Sequence, residues 1–210
     1  MFGAARSPSS LVAGALGTAQ WRVTTRRSTP PCVASTVPSM TGGSVNPVPR
    51  ARPAEDAGDR EVLAGFLDFL RATVVNKVAG LTEAQAFEQA VPPSELSPAS
   101  LVKHLTGVER FSFSIDFAGA DLTWPWTDQN PHGNFPIEQG DTLTSIVADY
   151  QIECDRSRHA IADAGLDDRA RGDGMKFTLR WALTHMIEET ARHCGHLDLL
   201  RERLDGKTGE

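Results

Sequence analysis

Cysteine is scarce in this chain, and the three present, Cys32, Cys154 and Cys194, are odd in number and share no paired spacing. A disulfide framework is therefore not expected, and a reducing cytoplasmic setting fits best. No apolar run approaches the ~20 residues of a membrane span, which argues against a membrane protein. Acidic residues and lysine are both absent from residues 1–52, which hold six arginines. The remaining 158 residues carry 15 basic and 27 acidic side chains, a net of −12. A body that acidic has no phosphate-neutralising stripe, so nucleic acid is not an expected partner. No stretch alternates with period two, which leaves no predicted strand. No Gly-x-Ser-x-Gly elbow, phosphate loop or dinucleotide fingerprint occurs either.

The first fifty residues are rich in Ser, Thr, Pro, Gly and Arg and include Thr29-Pro30-Pro31 and Thr41-Gly42-Gly43. Such composition buries too little apolar surface to offset ordering entropy, so residues 1–50 are expected to lie outside the domain as a disordered segment. Two other readings are an over-extended start, with Met40 just ahead of the domain, and a targeting peptide of acid-free, Arg- and Ser-rich composition. The folded domain is expected over residues 58–210.

Four amphipathic segments follow. Val62, Phe66, Phe69, Leu70, Thr73, Val74 and Val78 recur at helical spacing from about Asp59 until Gly80. Ser97-Pro98 is an N-cap followed by proline at the first helical position, opening a second helix through Leu101, His104, Leu105, Val108, Phe111 and Ile115 toward Gly119. Between Gly119 and Gly140 the chain has no helical period and carries Trp124-Pro125-Trp126, which either walls a pocket or caps the fold. A third helix starts near Asp141, and Thr178 caps a fourth that ends at Gly206. Four long helices joined by loops predict an all-α, antiparallel four-helix bundle with a long loop between helices two and three.

The fourth helix places His185, Glu189, His193 and His196 at four-, four- and three-residue steps. At ~100° per residue these four side chains span an arc of about 80°. Glu189 and His193 are the pair nearest the apolar stripe, with Cβ atoms ~6 Å apart, close enough to share one ion. His185 and His193 are two turns apart, ~12 Å along the axis, too far to share it easily. His104 points inward from the second helix and would supply a third ligand, as bundle cores permit. The spacing is equally compatible with a core histidine bonded to backbone beside a solvated acidic face. Cys154 and Cys194 fall on apolar repeats and read as packing residues.

The blocks Leu101-Val-Lys-His104-Leu-Thr-Gly-Val-Glu-Arg110 and Leu179 through His196, followed by Leu199-Leu-Arg-Glu202 and Asp205-Gly206, resemble the DinB-like superfamily. More narrowly, they are similar to its branch related to the mycothiol-dependent maleylpyruvate isomerases. The resemblance implies a four-helix bundle that binds a divalent ion through one histidine of helix two and two residues one turn apart on the last helix. His104, Glu189 and His193 match those positions. Many relatives have histidine where Glu189 stands, and a carboxylate shifts preference away from copper toward zinc, iron or manganese, zinc first. His196 then becomes a group bonded to a ligand or to substrate.

Three protein ligands leave coordination positions open, as in catalytic zinc sites. The expected function is thus a metal-dependent, mycothiol-type thiol S-transferase or isomerase acting on a small electrophile, with a low-molecular-weight thiol as cosubstrate made nucleophilic by the metal. His185 or His196 would move the proton, and Arg180 or Arg192 would hold a substrate carboxylate. The alternative is a non-enzymatic metal-binding or stress-responsive protein of the same fold. The expected partner is a small molecule, and the expected assembly a monomer or homodimer.

Overall fold

The computed structural model describes residues 44–127, 136–174 and 176–208, all within the unit Met40–Glu210. Every regular element among them is helical; one isolated antiparallel bridge joins Arg169 to Thr178. None of these helices is long and apolar enough to cross a membrane.

α1 spans Asp59–Val78, with Asp59 and Glu61 in its first turn and Lys77 in its last, each sign matched to the helix dipole. A short α2, Glu83–Phe87, was not legible as a period; Thr82 and Gln85 cap its start with reciprocal bonds. α3, Pro98–Glu109, starts at Ser97, whose side chain accepts from the Ser100 backbone. α4, Leu143–Ala160, is capped by Thr142, and α5, Leu179–Asp205, by Thr178 with Gly206 closing it at φ 75°.

α3 does not run as a regular helix to Gly119. Residues Arg110–Phe117 continue it as a π-helix, a widening that a 3.6-residue pattern cannot reveal. At its end the carbonyls of Asp116 and Phe117 accept from the backbones of Gly172 (2.8 Å) and Arg171 (2.9 Å). Gly172 is required there, because a Cβ would sit 2.7 Å from the carbonyl oxygens of Ile115 and Asp116. This contact ties the loop before α5 to the end of α3.

α1 packs chiefly on α5, and α3 on α4, while α3 also meets α5. The core forms two apolar clusters. One holds Val74, Leu101, Leu105, Ile146, Tyr150 and Leu197; the other holds Leu67, Phe113, Leu179, Leu183 and Met186. Between them in chain order lies a polar layer. Arg71 (4 % exposed) donates from Nε and Nη2 to both oxygens of Glu109 (1 % exposed) at 2.7 Å, and Nη1 reaches Asp68 at 2.8 Å. Glu153, also buried, accepts from Arg110 and Arg156. The α1 stripe is accordingly centred on Leu67, Arg71, Val74 and Val78, and Phe66 is exposed.

Residues ahead of α1 also contact the helices. Val45 is buried in the first cluster, and the Val48 backbone exchanges two bonds with the Asn76 side chain (2.7 and 3.1 Å). The segment from Ser44 therefore packs on α1. Two valines and one asparagine were too short a signal for periodicity to detect. Residues 1–43, the rest of the expected disordered segment, lie outside the described residues, as do residues 128–135 of the long loop.

Removing one partner of the Arg71–Glu109 pair strands a charge in the core. In urea unfolding, Arg71→Ala and Glu109→Ala should each cost about 3–5 kcal/mol, whereas the double variant Arg71→Met/Glu109→Leu should unfold close to wild type. Single variants within 1 kcal/mol of wild type would mean that the pair is solvated in solution.

Candidate metal centre

α3 and α5 bring His104, Glu189 and His193 together: one ligand atom from each lies within 4.8 Å of the other two. His193 sits deepest, and His104 and Glu189 are half-buried on either side. The order of burial along α5, with His193 inside, Glu189 and His196 at the margin and His185 outermost, follows their angular distance from the apolar stripe.

One carboxylate oxygen organises the cluster. Glu189 Oε1 lies 3.3 Å from His104 Nε2 and 3.1 Å from His193 Nε2. The two imidazole rings stand edge to face with centroids 4.7 Å apart. Bonds from His104 and His193 hold the Glu189 carboxyl well below the usual carboxylate range, outweighing the opposing effect of burial. Its other oxygen, Oε2, accepts from Arg192 Nη1 at 2.8 Å, and Arg192 also pairs with Glu188. Glu189 thus presents Oε1 inward and keeps Oε2 on the guanidinium.

The donor set fits a divalent ion. Bonds of 2.0–2.1 Å arranged tetrahedrally imply ligand-to-ligand separations of about 3.3–3.4 Å, close to the two distances made by Glu189 Oε1. Two imidazoles and a carboxylate are also the donors of three-ligand catalytic zinc sites.

His196 meets the cluster from behind. Its Nδ1 is 3.3 Å from His193 Nδ1. Burial, then neighbouring His193 and Arg192, hold its pKa below the ordinary histidine value, which favours the neutral ring at neutral pH. A neutral imidazole offers one acceptor nitrogen. It can therefore accept a hydrogen bond from the proton that His193 must carry on Nδ1 when its Nε2 lone pair is used for binding.

His185 stands apart: it stacks on Trp181 (centroids 4.9 Å, 20° between planes), with Nδ1 3.8 Å from Glu188 Oε2. Arg180 lies near the start of α5, bonded to Asp59 and Asp167, away from the cluster. Cys154 and Cys194 are buried free thiols; burial pushes the Cys154 pKa well above the ordinary thiol value and that of Cys194 up to about 12, so neither is poised as a nucleophile. Sequence reasoning missed the Arg192–Glu188–Glu189 linkage, although the three- and four-residue spacing that makes it was visible.

The Mycothiol-S-transferase family profile matches residues 62–206, which include α3, α4, α5 and all three convergent side chains. The chain belongs to the mycothiol S-transferase family. No curated protein matches it. Among the described residues, where neither cysteine is activated, His104, Glu189 and His193 are where metal-capable donors gather.

Zinc competition titrations test the arrangement. His104→Ala, Glu189→Ala and His193→Ala should each weaken binding sharply, and His196→Ala by about 10- to 100-fold. His185→Ala should leave it close to wild type. Equal losses in His185→Ala and His193→Ala, or full retention in His104→Ala, would contradict this assignment.

Proposed function

We propose that this protein is a divalent-metal-dependent mycothiol-type S-transferase acting on a small electrophile, with His104, Glu189 and His193 as the metal ligands. Convergence of these three donors inside the family-matched region carries the reading. The hard carboxylate donor beside two imidazoles favours zinc. Two cysteines kept as buried free thiols support a reducing cytoplasmic setting.

A divalent ion bound there supplies a Lewis acid that lowers the pKa of a thiol, so that the nucleophile forms without a protein cysteine. The chain's own residues set up that chemistry. Arg192 fixes Glu189 so that one oxygen faces the cluster. With an ion bound, His196 would accept from His193 Nδ1–H and so fix the tautomer that leaves Nε2 for the ion. In this reading His185, partly exposed and next to Glu188, would pass a proton on to solvent. Both Arg180 and Arg192 are engaged with carboxylates, so neither is assigned a substrate carboxylate.

Cobalt substitution gives a direct readout. Titrating cobalt-loaded protein with mycothiol should change the visible absorption spectrum, and the protein should then conjugate the thiol to an electrophile faster than free cobalt does. A cobalt spectrum indifferent to thiol would favour the non-enzymatic metal-binding alternative.

A further inference from the structure

Two aromatic groups lie on or beside the helical segments that bear His104, Glu189 and His193, and neither is explained by thiol activation. On the α3 side, Phe111 touches Trp124 and Trp126 at centroid distances of 4.9 and 4.7 Å. On the α5 side, Phe177, Trp181 and His185 form a continuous run, at 5.1 and 4.9 Å. Both groups stem from the helices that carry the ligands: Phe111 is seven residues beyond His104, and His185 is four residues before Glu189.

They also lie toward the same end of the centre. Val108, Phe113 and Phe117 share a core cluster with Leu179, Leu183 and Met186, and the π-helical segment packs on α5. Residues near 111 and residues near 181–185 are therefore at one level of the fold, on one side of the His104–Glu189–His193 level.

Burial separates a binding role from a capping one. An indole used as a cap hides its face; here Trp124 is 51 % and Trp181 46 % exposed. Large rings grouped together yet left exposed are the kind of apolar patch that ligands cover. The cations nearest on α5 are already paired, and the ring faces carry negative quadrupoles that stack best on electron-poor rings.

We infer that the Phe111–Trp124–Trp126 and Trp181–His185 groups form a subsite for a planar, electron-poor aromatic ring, the class of electrophile, or of its thioether product, that this protein takes. The inference rests on the thiol-transfer reading for its chemical meaning, and its test is separable from that reading because a thioether has no thiol proton to lose.

Calorimetric titration of the full-length, zinc-loaded protein should compare S-(2,4-dinitrophenyl)-N-acetylcysteine with S-methyl-N-acetylcysteine. The dinitrophenyl thioether should bind at least about tenfold more tightly. Trp181→Ala and Trp124→Ala should each weaken it about two- to tenfold, and Trp181→Phe, which retains a ring, should recover most of the loss. Equal affinity for the two thioethers, or wild-type affinity in both alanine variants, would overturn the inference. Ring-selective binding in a protein whose cobalt form ignores thiols would uphold the subsite and remove the transfer reading. The reverse pattern would remove the subsite alone.

Discussion

A carboxylate oxygen between two imidazole nitrogens is the contact on which the rest of the site depends. Glu189 is half-buried at the junction of α3 and α5, where an isolated anion would be costly. His104, His193 and Arg192 offset that cost by bonding it from three directions. The same contacts bring three metal-capable atoms to one place. Stability of the ion-free fold and readiness for a divalent cation thus have a common origin.

A buried polar layer on α1, α3 and α4 supports the helix that carries His104. Arg71 and Glu109 occupy that layer between the two apolar clusters, with Glu153 held by Arg110 and Arg156 nearby. Glu109 ends the regular part of α3, five residues after His104, and the π-helical turns begin directly beyond it. Pinning Glu109 to α1 therefore fixes the helix that carries His104. The widened segment then leaves Phe111 against the two tryptophans and buries Phe113 and Phe117.

Much of this was legible in the residues themselves. Ser97-Pro98, Asp141, Thr178 and Gly206 mark helix ends that the structure places within a residue or two of expectation. The graded burial of His193, Glu189, His196 and His185 follows from angle alone, because a straight α-helix preserves its periodicity. The π-helix was not legible, since one extra residue per turn changes direction without changing composition. Arg71 and Glu109 were hidden for another reason: charged residues read as solvent-facing until a partner on a distant helix is known. Val45 and Val48 were lost among the polar residues around them, and their burial and their bonds to Asn76 and Gly80 reveal the packing.

X-ray absorption at the zinc edge, on protein loaded with one equivalent of zinc and no added thiol, tests the central claim most directly. Coordination by His104, Glu189 and His193 predicts two imidazole nitrogens and a carboxylate oxygen at about 2.0–2.2 Å, with no sulfur in the first shell. A sulfur shell at about 2.3 Å, or a first shell lacking the two imidazoles, would contradict it.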